Sequence, residues 1–180
     1  MSPHQRPPTT PTGQNAAFVM KNPGSIDELI AFRIYNLGKL AARGAGIMLR
    51  RELAISRRDW RILAYVAQNP DMSLSELSHV ADIEPETASR GVAKLVAGGI
   101  IAKTRLQTNK RLLVLSLTSA GRALYEQAQT KTRSYNVDLA TCLSDQEAEA
   151  LDVLLTKLSE RATELTEREV AIGGADDAVD

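Results

Sequence analysis

With a single cysteine, Cys142, the chain has neither an internal disulfide nor a cysteine-built zinc site, which suits a reducing cytoplasm. Aromatic residues make up 4% of it, too few for an RNA-binding sheet that stacks bases on exposed rings. No apolar run approaches the roughly 20 residues that span a bilayer, so no membrane partner is expected. The proline-rich N-terminus lacks the apolar stretch of a secretory signal. Also missing are a nucleophile elbow, a P-loop, a dinucleotide fingerprint, a His-Glu-x-x-His pair and any Ser–His–Asp arrangement. An enzyme is therefore not expected. His4, His79 and Cys142 are scattered, so no metal site or cofactor is expected either.

Net charge is absent too, and this absence misleads until the charge is divided along the 180 residues. Residues 1–49 carry five basic and two acidic side chains, and residues 50–117 carry eleven and seven. Residues 118–180 carry six basic and thirteen acidic side chains. Positive charge is thus concentrated in the middle of the chain and negative charge at its end. That distribution, rather than the total, governs attraction to a polyanion.

Five of the seven prolines fall in residues 1–24, which read as a disordered tail. Ser25 and Glu28 have the spacing of a capping box, and apolar residues at helical intervals predict a long helix from there to Leu53. Gly38, Gly44 and Gly46 weaken its second half, where a kink or a close helix approach is expected. Ser56 and Asp59 start the next helix, which stops at Asn69-Pro70. Ser73 and Glu76 start a short one with Leu74, Leu77 and Val80 inward. A turn at Ala81-Asp82-Ile83 leads to Glu84-Pro85, with proline at a first helical position. That helix runs to a stop at Gly98-Gly99. Residues 100–105 and 112–117 read as antiparallel strands around a polar loop. Thr118 caps a long helix whose apolar stripe includes Tyr125 and Cys142, the latter expected to be a buried structural thiol. A last capping box, Ser144 and Glu147, starts a leucine-lined helix, and residues from Gly173 read as a frayed tail.

A short helix, a turn, a second helix and a basic hairpin form the architecture of a winged DNA-binding domain. In the second helix Ala88, Val92 and Leu95 face the core, leaving Glu86, Thr87, Ser89, Arg90 and Lys94 outside. Arg reads guanine bidentately, and Ser and Thr serve bases or phosphates. The small residues Ala88, Gly91 and Ala93 would let the helix sit deep in a groove. Ser73, at the start of the first helix, is included among the DNA-contacting candidates. Lys103, Arg105, Lys110 and Arg111 cluster on the hairpin, with Arg111 suited to a minor groove and Lys110 to the backbone. The competing readings are a solvated helix face and a charged hairpin that resists edge pairing.

From about Ser25 to Arg168 the chain resembles the multiple-antibiotic-resistance-regulator (MarR) family of winged helix-turn-helix transcription factors. The resemblance rests on SRRDWRILAYV, TASRGVAKLVAGGIIAK and LLVLSLTSAG. It implies a mainly α fold with a small β-hairpin wing, flanked by N- and C-terminal dimerisation helices. The expected division is a tail at 1–24, a dimerisation helix at 25–54 and the winged domain at 55–117. Dimerisation helices at 118–169 and a flexible acidic tail at 170–180 complete it. The family pattern places an Asp two residues before the minor-groove Arg; here that position is Asn109. The resemblance also implies an obligate homodimer on a palindromic double-stranded operator. It further implies a repressor of catabolic or stress genes, released by a small aromatic or phenolic carboxylate. Arg33, Asn36, Arg43 and Trp60 are the candidate ligand residues by helix position, with core packing the other reading of Trp60 and solvation that of Arg33 and Arg43. The family's peroxide-sensing branch has its cysteine near the start of the first helix, where this chain has none. A winged-helix protein–protein adaptor is the alternative, disfavoured by the basic residues shared between helix and wing.

Overall fold

The computed structural model describes residues 16–106 and 109–176, without the side chains of residues 16–18, 110, 111 and 174–176. It divides into two compact units, one ending at Gln129 and the other beginning at Thr130. The elements in order are α1 (Ala16–Lys21), α2 (Ile30–Leu53), α3 (Arg57–Gln68), β1 (Met72–Ser73), α4 (Leu74–Val80), α5 (Pro85–Ala97), β2 (Ile101–Leu106), β3 (Asn109–Leu117), α6 (Ser119–Ala140) and α7 (Asp145–Asp176).

Helix α1 lies inside the segment expected to be a disordered tail, where a proline-free run, Ala16–Lys21, separates Pro11 from Pro23. The expected capping box at Ser25 is replaced by a single 3-10 turn, Ile26–Glu28. Ser25 makes no side-chain cap, and the Glu28 carboxylate accepts from the Gly24 N–H at 2.6 Å instead. Leu29 is extended, so the long helix begins only at Ile30. From there α2 is unbroken across its glycines. At Gly46 it approaches α3 closely, since a Cβ there would lie 3.6 Å from the Arg57 Cβ. At the other end α7 continues to Asp176, through the segment expected to be a flexible tail.

The core of the first unit gathers Leu49 from α2, Ile62, Leu63 and Val66 from α3, Leu77 from α4, Val92 from α5 and Ile101, Val114 and Leu115 from the sheet. Burial of each such side chain contributes about 1.5–3 kcal/mol. The sheet is antiparallel in the order β1-β3-β2, with Met72 opposite Leu115 and Ile101 opposite Leu117. β1 has no counterpart in the sequence pattern, since two residues are too few to display an alternation. β3 starts at Asn109 rather than Leu112, and the β2–β3 register shifts between Arg105 and Leu106.

In the second unit Ser144 caps α7 reciprocally with Glu147, whose carboxylate accepts from the Ser144 N–H at 2.9 Å. That bond and the Ser144 hydroxyl hold the Glu147 pKa below the usual glutamate range. Leu151, Leu154, Leu155 and Leu158 of α7 are exposed. Cys142 is exposed as well, contrary to expectation. The helix that would carry it inward, α6, ends at Ala140, and the thiol sits in the following turn, donating to the Leu139 carbonyl. No helix among the described residues is long and apolar enough to cross a membrane.

Candidate nucleic-acid interface

Two local devices set the position of α4 and α5. The Ser73 hydroxyl accepts from the Glu76 N–H at 3.2 Å, and the Glu76 carboxylate accepts from the Ser73 N–H at 2.6 Å. The Ser73 N–H, and after it the hydroxyl, hold the Glu76 pKa below the usual range. Between the helices the buried Ser78 hydroxyl donates to the Ile83 carbonyl at 2.6 Å. Asp82 takes the left-handed conformation, with φ 45°, that a tight turn requires and Asp tolerates.

Helix α5 is capped at both ends. Pro85 occupies its first turn, and the Glu84 carboxylate accepts from the N–H groups of Glu86 and Thr87 at 2.9 and 2.8 Å. Those bonds depress the Glu84 pKa. At the far end the Gly99 N–H bonds to the Val96 carbonyl and the Ile100 N–H to the Leu95 carbonyl. This pairing closes a helix through a left-handed residue, here Gly99 with φ 70°, and turns the chain into β2. The helix therefore has a fixed start, a fixed stop and one buried stripe of Ala88, Val92 and Leu95.

Of the expected contact residues, Glu86 and Arg90 are exposed and Thr87 and Ser89 half-buried on α5. The Arg90 guanidinium lies 3.7 Å from the Glu86 carboxylate, both largely in solvent, a pair of the kind worth little. Arg90 is thus held only loosely by Glu86. Lys94 is placed differently. Its ammonium donates to Asp59 of α3 at 2.8 Å, and Asp59 is 3% exposed. Ser73 is similarly engaged, in the cap of α4. Gly91 does not serve depth in a groove: a Cβ there would lie 2.6 Å from the Ile62 Cδ1, so its bareness lets α5 pack against α3. Arg105 is exposed on β2. Lys110 and Arg111 have their backbone in β3, while their side chains lie outside the described residues.

The Asp59–Lys94 link is not legible in sequence, because the partners are 35 residues apart. Asp59 also completes the expected cap of α3, accepting from the Ser56 N–H at 2.9 Å while its own N–H donates to the Ser56 hydroxyl. Burial pushes its carboxyl up, and Lys94 and Ser56 together outweigh that, leaving the pKa below the usual aspartate value.

Arg33, Asn36 and Arg43 are exposed along α2, while Trp60 of α3 is half-buried. The Trp60 ring stacks on Tyr125 of α6 with centroids 5.7 Å apart and planes 16° from parallel. Gln129 donates to the Tyr125 hydroxyl at 2.9 Å. That packing fills one face of the indole, as in the core reading of Trp60.

Residues 55–112, from the end of α2 to the middle of β3, match the sequence profile of the MarR family. Over that segment the chain is similar to the MarR family. One relative is the HTH-type transcriptional regulator BilQ of Clostridium symbiosum (strain WAL-14163), 30% identical over 94 residues. A second is the homoprotocatechuate degradative operon repressor of Escherichia coli, 28% identical over 96 residues. These matches cover 52% and 51% of this chain, and 65% of each relative's length. Two solved structures share the fold. The transcriptional repressor CouR, bound to a 23-mer DNA duplex, has a TM-score of 0.66 at 18% identity, covering 76% of this chain and 96% of CouR. The Mycobacterium tuberculosis protein Rv2887 in complex with salicylic acid has a TM-score of 0.62 at 23% identity, covering 72% and 96%.

Proposed function

We propose that the protein is a homodimeric, sequence-specific DNA-binding transcriptional regulator. In this reading it represses its target genes until a small aromatic or phenolic carboxylate releases it. The observation that carries the reading is α5, fixed at both ends and anchored to α3, with Glu86, Thr87, Ser89 and Arg90 on its outer side. A rigid helix with small polar residues and a readily released arginine suits a major groove. The basic β2–β3 hairpin, with Lys103, Arg105, Lys110 and Arg111, suits the flanking backbone and minor groove. Relatives support it: CouR was solved on DNA and Rv2887 with salicylic acid.

A second copy of the chain is the natural cover for the apolar residues each unit leaves exposed. Ile34, Leu37, Leu40 and Ile47 of α2 are exposed in the first unit, and the α7 leucines in the second. A symmetric dimer would present two α5 helices to half-sites about 10 bp apart. Sedimentation as a monomer at micromolar concentration would remove the palindromic operator from the reading.

The decisive test is gel retardation on the gene's own upstream duplex across a salt series. Binding should weaken steeply with salt through counterion release. No retardation at low salt would leave the adaptor reading instead. Arg90→Ala is expected to cost about 1–3 kcal/mol at one base position and relax preference there. An equal loss on every sequence would make Arg90 a phosphate anchor. Arg111→Ala should lower the salt slope by about 0.9, the share of a single neutralised phosphate. An unchanged slope would take the wing tip out of the interface. For the effector, salicylate should quench Trp60, the single tryptophan, at concentrations that release DNA. Release without any change in fluorescence would move the ligand away from Trp60.

A further inference from the structure

A groove of about 570 Å³ lies beside the start of α5, between the last turn of α2, the first turn of α3 and the α4–α5 turn. Arg50, Arg57, Arg58 and Arg61 line it, with Glu84 and Thr87 on the α5 side. Arg61 is committed, donating to the Ala81 carbonyl and so bracing the end of α4. Arg50, Arg57 and Arg58 are exposed, and none of them meets a carboxylate among the described residues.

Their placement runs against local electrostatics. Arg57 and Arg58 are the first two residues of α3, at the end of a helix where the backbone carries partial positive charge. An unpaired arginine pair there is disfavoured in the free protein, and an oxyanion would remove the conflict by accepting from guanidinium and helix together. The two walls also lie close together. The Arg58 stem passes along α5, its Cδ 3.9 Å from where a Cβ on Gly91 would sit. Of the two acids on the opposite wall, Glu84 accepts from the first N–H groups of α5, and the exposed Asp82 forms no ion pair with the arginines. Thr87 belongs both to the groove and to the outer side of α5, so a duplex engaged by that helix runs past the arginines.

We propose that Arg50, Arg57 and Arg58 form a phosphate-binding wall that extends DNA contact from the start of α5 onto α2 and α3. This rests on the DNA-binding reading, and it adds a footprint that neither α5 nor the hairpin supplies. The contacts are to backbone, so they contribute affinity and register and no sequence preference. A free oxyanion shares the same chemistry; the backbone phosphate is favoured because Thr87 joins the groove to the base-reading side of α5.

The test is Arg57→Gln/Arg58→Gln in the full chain, which retains the side-chain stems, with folding checked by far-ultraviolet circular dichroism and thermal melting. Its salt slope should be shallower by about 1.8 for each protomer engaged, at 0.9 per neutralised phosphate. Affinity should fall by the same factor on the upstream duplex and on a scrambled one. An unchanged slope while the parent protein binds overturns the wall and leaves the DNA reading intact. If inorganic pyrophosphate raises the melting temperature of the parent and not of the variant while the slope stays the same, the site takes a free oxyanion and the proposal fails. A parent that retards no duplex at low salt defeats the DNA reading first. Should the double variant fail to fold, each single Gln variant is expected to lower the slope by about 0.9.

Discussion

Gly121→Ala is expected to destabilise the first unit by roughly 3 kcal/mol, the range of a severe overpacking change. A Cβ at Gly121 would lie 2.1 Å from the Ile100 carbonyl oxygen and 3.1 Å from its carbon. Both are backbone atoms, so no side-chain rotation relieves the overlap. Nor is the carbonyl free to retreat, because it accepts from the Thr118 N–H at 3.1 Å and from the Thr118 hydroxyl at 3.2 Å. The same hydroxyl accepts from the Gly121 N–H at 3.0 Å, so moving α6 also loosens its cap. Since Ile100 leads from α5 into β2, the strain reaches the wing as well as the core. Gly99→Ala serves as the comparison. It meets nothing within 4 Å but occupies a left-handed conformation, with an expected loss nearer 1 kcal/mol. Urea unfolding of the two variants checks the order. Equal midpoints would show that the α6 start yields readily and that Gly121 is not a packing requirement.

Asp59→Asn is expected to lose about 2–4 kcal/mol, combining a charge-assisted bond with the weakening of a helix cap. The carboxylate holds two elements at once, the Ser56 cap of α3 and the Lys94 ammonium of α5. Lys94 is 65% exposed and returns to water when its partner is neutralised, which keeps the loss below that of a fully buried pair. Because the folded-state pKa of Asp59 is lowered, its contribution is present above the unfolded value of about 3.9 and disappears as pH falls through the folded one. The stability gap between parent and Asp59→Asn should therefore be constant near neutrality and close below about pH 4. A gap that persists at pH 2 would mean that packing, rather than charge, is what the asparagine disturbs. Lys94→Met should weaken DNA binding equally on all sequences by removing the α5 anchor, whereas a sequence-dependent loss would return Lys94 to the base-reading set.

Much of the fold is local and legible for that reason. The caps at Ser56, Ser73 and Ser144 each join residues three apart, so the spacing of Ser with Asp or Glu contains the whole interaction. The Gly98-Gly99 stop and the two longer strands are also contained in short runs. The same rule fails at Ser25, where the spacing is right but Leu29 leaves the helix and Glu28 bonds to Gly24 instead. It fails again at Cys142, because a helical stripe holds meaning only as far as the helix extends. Arg57 and Arg58 are readable in principle as cations at the wrong end of a helix, a local conflict of the kind found at binding sites.

The order of helices, the buried stripe of α5 and the displacement of positive charge to residues 50–117 follow from the chain alone. They depend on residue type and short spacing, which do not change with the surroundings. Tertiary structure decided which polar side chains remain available. It paired Lys94 with Asp59 and Arg61 with Ala81, set Gly91 against Ile62, and placed Arg50, Arg57 and Arg58 in one groove with Thr87. Each of these depends on groups far apart in sequence meeting across packed helices, where a charge is held or freed by whichever partner the fold delivers. The winged helix-turn-helix is therefore visible as a pattern, and the surface around α5 exists only once α3 and α5 are packed together.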